Sequence, residues 1–128
     1  MKEMSEKVLR LASILSNVRS KYSEWLKNNM KNDHRSLMED ARDQKELQSL
    51  EIRRLFKIKR QQVMSAIISE LETEEGLDAP QIIEKNEQKI TDIYQSILSQ
   101  GGINPFMSFV LQNHLKQEKS LINRASLS

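Results

Sequence analysis

The residues best suited to chemistry in this chain are two histidines, one glycine pair and one dense run of cations. His34 has no carboxylate and no second histidine three or four positions away. His114 has Glu118 at i+4, one ligand pair on one helix face. A metal site needs several ligands converging on one point, and one pair does not make such a set. Both histidines therefore read as ordinary surface or rim residues, and no metal, cofactor or catalytic residue is expected. Gly101-Gly102 lacks the Lys-Ser/Thr of a phosphate loop and follows a helix pattern, so it reads as a tight interhelical turn. The acidic run Glu72, Glu74, Glu75 reads as solvated loop and helix end, since negative charge at a helix C-terminus is mildly unfavourable. No Ser/His/Asp or lysine-centred set stands out, and the chain is not expected to be an enzyme.

The cations are more informative. Five basic residues fall in the eight positions from Arg53 to Arg60, among Ile, Leu and Phe. At about 100° per residue, Ile52, Leu55, Phe56, Val63 and Ile67 share one broad side of a helix, with Ile58 at its edge. Arg53, Arg54, Lys57 and Gln61 take the opposite side, with Arg60 at the rim. Three uses of that basic face are open: a solvated surface, a contact for an acidic protein partner, or a grip on a phosphate backbone. The last would be independent of base sequence and sensitive to salt. Lys59 is the exception, since it points into the apolar sector, where it would have to snorkel or find a carboxylate.

These residues need helices to position them, and the composition supplies helices. Charged residues make up 30% of the chain, with three glycines and two prolines, which leaves little material for turns. Val8, Leu11, Leu15, Val18, Tyr22 and Trp25 follow one another at spacings of 3, 4, 3, 4 and 3, an a/d seam. It predicts a helix over about 5–30, with Ser5 as its cap. A turn is expected near 31–34, with Asn32 or Asp33 capping the next helix. No glycine or proline interrupts residues 34–75, so that helix is expected to run over 34–74 and to end at Gly76. Asp78, Pro80 and Gln81 form a capping-box start for a helix over 79–99. Asn104 and Pro105 start another over 105–123, whose main apolar residues are Phe106, Phe109, Val110, Leu115, Leu121 and Ile122. The reading is a single all-α domain over 1–128, a four-helix bundle-like fold with a long central helix.

Net charge is +2, too even to argue for nucleic acid globally. There is no cysteine, which removes disulfides and thiolate chemistry and fits a reducing compartment. No apolar stretch approaches the ~20 residues that span a bilayer, and no membrane partner is expected. The N-terminus does not read as a signal peptide. A soluble, cytoplasmic protein is expected.

The order of "VRSKYSEWLKNNM", a polar stretch over 31–46, "EIRRLFKIKRQQVMSA", "GLDAPQ" and "KITDIYQSIL" resembles the α-helical domain of GINS subunits, particularly archaeal ones. The match covers about residues 18–100 and centres on Ile52-Arg53 followed by Lys57-Ile58. Gln61 and Gln62 stand where the family has a Leu-Ala step. The small β-rich domain of such subunits is absent, so the chain reads as a fragment or a minimal form.

The resemblance implies a non-enzymatic DNA-replication factor. It would form an oligomeric core with copies of itself or other GINS subunits, and bridge the MCM helicase and a RecJ/Cdc-class partner. Its location would then be nucleoid-associated. The candidate core or interface residues are Leu11, Leu15, Val18, Tyr22, Trp25, Leu55, Phe56, Ile58, Val63, Ile67, Ile93, Tyr94 and Ile97. The candidate contacts for a partner or for phosphate are Arg53, Arg54, Lys57 and Arg60. Two other classes remain: a nucleic-acid-binding module using the basic face of the 47–71 helix, and a helical adaptor unrelated to replication.

Overall fold

A computed structural model of the chain describes residues 2–63 and 77–128. Four helices carry the fold: α1 over Lys2–Asn28, α2 over Arg35–Leu55, α3 over Ala79–Gln100 and α4 over Pro105–Ser126. A single 3₁₀ turn covers Arg60–Gln62, and no strand occurs among the described residues. The fold is all-α.

The a/d seam of α1 becomes the spine of the core. Leu11, Leu15, Val18 and Tyr22 are fully buried, joined by Val8 and Ile14. Burying each such side chain contributes about 1.5–3 kcal/mol, which holds a helix this long in place. The helix starts at Lys2, so Ser5 lies inside it and is not its cap. At the other end the Arg35 guanidinium donates to the carbonyl oxygens of Leu26 and Asn29, serving carbonyls that the helix leaves open. The turn to α2 is held by Asn32, whose Oδ1 accepts from the His34 amide at 2.8 Å. His34, and neither Asn32 nor Asp33, stands at the N-cap.

The expected helix over 34–74 is not continuous, because α2 stops at Leu55. The Ile58 amide donates to the Arg53 carbonyl at 2.8 Å, and the Lys57 amide to that of Arg54 at 3.4 Å. This is a Schellman stop, with Lys57 in the left-handed position usually taken by glycine, at φ 55°. The apolar Ile58 that follows packs back against the core. Beyond it the chain is extended at Lys59, and the Gln62 Oε1 accepts from the Lys59 amide at 2.7 Å. The helical phase drawn through residues 53–60 therefore breaks at Leu55. Lys59 is exposed and does not enter the core. Ile67, the acidic run Glu72, Glu74, Glu75 and the expected stop at Gly76 lie outside the described residues.

The other signals fold as read. Asp78 Oδ1 accepts from the Gln81 amide at 3.0 Å, and Gln81 Oε1 from the Asp78 amide at 3.1 Å, a reciprocal capping box. Asn104 Oδ1 accepts from the Met107 amide at 2.8 Å with Pro105 in the first turn. Between the two helices Gly101 sits at φ 73° and ψ −166°, a region open to glycine alone.

Contacts along the helices fix their directions. Lys7 meets Ser96 and Tyr22 meets Glu87, so α1 and α3 are antiparallel. Asp40 meets Arg124 and Glu51 meets His114, so α2 and α4 are antiparallel too. With α1–α2 and α3–α4 joined by short turns, the order is up, down, down, up. The chain between α2 and α3 therefore joins opposite ends of the bundle, the arrangement with one long crossover.

The two left-handed positions make opposite predictions. Lys57→Gly is expected to stabilise by about 0.5–1 kcal/mol, since a β-carbon disfavours that conformation. Gly101→Ala is expected to destabilise by about 1–3 kcal/mol. A β-carbon there would meet nothing within 4 Å, so the cost is conformational. Urea midpoints read both; equal midpoints for Lys57→Gly and wild type would contradict the stop as described.

Candidate functional site

Within the core, one group from each helix meets around a buried ammonium. Lys45 on α2 is 0% exposed. Its Nζ contacts Glu118 of α4 and Gln48 of its own helix, and lies 2.6 Å from Glu87 Oε1 of α3. Tyr22 of α1 donates its hydroxyl to the other Glu87 oxygen at 2.6 Å. Gln48 passes a hydrogen bond outward to Gln117 at 3.0 Å. Glu87 and Glu118 are themselves fully buried.

Two carboxyl groups share this one ammonium, so a second positive charge or a proton is needed. Burial is the main influence on Glu118, and the neighbouring Glu87 is the next; together they outweigh Lys45 and hold its carboxyl well above the ordinary value. One oxygen on each glutamate lacks a hydrogen bond, Glu87 Oε1 and Glu118 Oε2. Glu87 Oε1 touches the ammonium at 2.6 Å without hydrogen-bond geometry, so the contact is one of charge. A proton held on Glu118 removes the excess negative charge. Burial, then the charge of Glu87, keeps Tyr22 a phenol.

A second chain runs from the core to the surface. The Tyr94 hydroxyl and His114 Nδ1 are 2.7 Å apart, and His114 Nε2 is 3.3 Å from Glu51 Oε2. Burial lowers the His114 pKa, against the pull of Glu51. The neutral ring that satisfies both neighbours carries its proton on Nε2, donates to Glu51 and accepts from Tyr94. Tyr94 is fully enclosed, so its hydroxyl is out of reach of a substrate.

The expectation that both histidines are surface or rim residues is corrected for His114, which is 1% exposed. His114 and Glu118 do not act as a ligand pair, since one serves Tyr94 and the other Lys45. Among the described residues no three His, Cys, Asp or Glu side chains converge as a metal set.

The expected interface residues mostly serve the core of a single chain. Leu11, Leu15, Val18, Tyr22, Tyr94 and Ile97 are buried within it, and Trp25, Phe56, Ile58 and Ile93 pack against it. Leu55 and Val63 are half-buried. The apolar residues expected to anchor α4 are in part on the outside. Phe106 is 67% and Phe109 61% exposed, while Leu111, His114, Glu118, Leu121 and Ala125 face inward.

The basic residues gather at the end of α2 without forming one helix face. Arg54, Lys57 and Arg60 are exposed and Arg53 is half-buried. Two clefts flank this helix end. On the α4 side a groove of about 380 Å³ is lined by Leu55, Phe106 and Val110, with Glu51 and Arg54 at its rim. On the α1 side a smaller cleft holds Arg53 and Arg60 together with Arg19, a residue that the sequence reading did not single out. No helix among the described residues is long and apolar enough to cross a membrane. No protein-family model, curated protein or solved structure matches the chain.

The ion cluster makes two predictions. Lys45→Met leaves two buried carboxyls without a cation and is expected to cost about 3–5 kcal/mol, measured by urea unfolding. Adding Glu87→Gln to it should recover much of that loss.

The second prediction concerns pH. Because the folded pKa of Glu118 is raised above 4.5, its contribution is complete below that pH and is lost as pH rises through the folded value. His114 works in the opposite sense, with stability present above 6.5 and lost as pH falls through its lowered folded pKa. The stability of wild type relative to Glu118→Gln should therefore decline with rising pH above 4.5. A flat difference would show that Glu118 is ionised in the fold.

Proposed function

We infer that the chain is a non-enzymatic helical assembly module, and that its subunit contact is the outer face shared by α2 and α4. The observation that carries this reading is the aromatic pair Phe106 and Phe109, one helical turn apart and both more than half exposed. Leu47 lies on the same face of α2 as Glu51 and Arg54, and is 61% exposed. Large apolar side chains grouped in this way are a common mark of a protein contact. The residues that pack α1 and α3 are already used inside the chain, so an oligomer must be made by other side chains. Arg54 and Glu51 at the groove rim supply one charge of each sign, which suits a self-complementary contact between two copies.

A GINS-like role at a replicative helicase is a narrower form of this reading. The tyrosines of α1 and α3 and the order of helices support it. The centre of the resemblance, Ile52-Arg53 to Lys57-Ile58, spans the end of α2 and does not lie on one continuous helix. Co-purification of the chain with an MCM helicase subunit tests that narrower role, and failure to associate would leave assembly without replication.

Assembly itself is tested by sedimentation over a concentration series. The wild-type chain should form a dimer or larger species. Phe106→Ser combined with Phe109→Ser should weaken that association by at least about tenfold, the effect of losing one good anchor, with helicity unchanged. A wild-type chain that stays monomeric at every concentration would refute the reading.

A further inference from the structure

The cleft on the α1 side of the α2 end has a chemistry of its own. It is walled by Ser16 and Arg19 from α1, by Glu46, Ser49 and Arg53 from α2, and by Arg60 from the segment that follows. Its volume is about 220 Å³, room for roughly seven waters. The Schellman stop at Lys57 builds it, because a helix continuing past Leu55 would not turn Arg60 back beside Arg53.

Among the described residues three guanidinium groups face a single carboxylate there. Glu46 is already engaged by Arg19 at 3.3 Å. Arg53 and Arg60 have no carboxylate within ion-pair distance among the described residues. The Nε–H of Arg53 is buried and has no acceptor. A buried donor left unpaired costs about 1–3 kcal/mol, and its guanidinium is one of those that line the cleft. Among the described residues the cleft's charges sum to two positive, the complement of a phosphate monoester, which carries about −1.5 to −2 near neutral pH. Forked guanidinium donors match the oxygens of a tetrahedral anion, and the serine hydroxyls can donate to the oxygens that remain.

We propose that this cleft binds a dianionic phosphate group, either free phosphate or the terminal phosphate of a small monoester, through Arg53 and Arg60 with Ser16 and Ser49. The site holds one such group; a nucleic-acid backbone would need a row of cations in place of a pit. It is carried by residues on the α1 side of the helix and does not depend on the assembly face at Phe106 and Phe109.

The experiment titrates the full chain with inorganic phosphate and, separately, with adenosine monophosphate, following heat and the Arg53 Nε–H resonance. Either probe should shift that resonance. A response to both assigns monoesters as ligands, and a response to phosphate alone assigns the free anion. Acetate, with a single charge, should bind at least about tenfold more weakly, and Arg53→Gln should weaken phosphate by a similar factor, as expected for losing one charge-assisted hydrogen bond. Arg60→Gln gives the same readout from the exposed side of the cleft, should Arg53→Gln perturb the fold. Absence of any shift up to about 10 mM phosphate, or equal binding of acetate, or unchanged binding in both variants, would overturn the proposal.

Discussion

An ammonium group taken out of water costs several kcal/mol unless carboxylates and hydrogen bonds replace its hydration, and Lys45 is completely out of water. The rest of the bundle is arranged to meet that demand. Glu87 comes from α3, Glu118 from α4 and Gln48 from α2, while Tyr22 of α1 holds Glu87 in place. Apolar packing tolerates sliding by a residue or exchange of similar side chains. An ion cluster contributed by four helices does not, because a slip on any one leaves a charge uncompensated. The hydrophobic seams supply most of the driving force, and the cluster specifies one register out of those that the seams would allow.

Much of this was legible in the residues. The unbroken seam on α1 marked a core helix, and the Asp78 and Asn104 signals fixed the starts of α3 and α4. What was not legible had two physical causes. Glycine is the usual mark of a helix end, whereas the end of α2 uses Lys57 in a left-handed conformation, a cost met by the packing of Ile58. Apolarity is also an incomplete sign of the inward face. On α2 the inward positions are Met38, Ala41, Lys45, Gln48 and Ile52, again at spacings of 3, 4, 3 and 4. On α4 they are Leu111, His114, Glu118, Leu121 and Ala125, with the same rhythm.

Keeping the heptad frame and allowing polar residues into it would have found the cluster. It would also have turned Phe106 and Phe109 outward, since they fall off the α4 frame. The candidate cation contacts were recognised by composition, but their geometry was not. A helix wheel spreads Arg53 and Arg60 along one face, whereas the stop at Leu55 folds them toward each other and toward Arg19. The local backbone break turns a charged stripe into a cleft.

The division of the ion cluster between the two hairpins constrains how they can pair. The ion cluster divides unequally between the hairpins: α1–α2 brings the lysine, and α3–α4 brings both glutamates. Two α1–α2 hairpins placed together would set ammonium against ammonium, and two α3–α4 hairpins would set carboxyl against carboxyl, so like hairpins reject one another. Unlike hairpins fit whether or not they belong to the same molecule. The cluster therefore records which hairpin belongs beside which, a pairing rule that the hydrophobic seams alone do not carry.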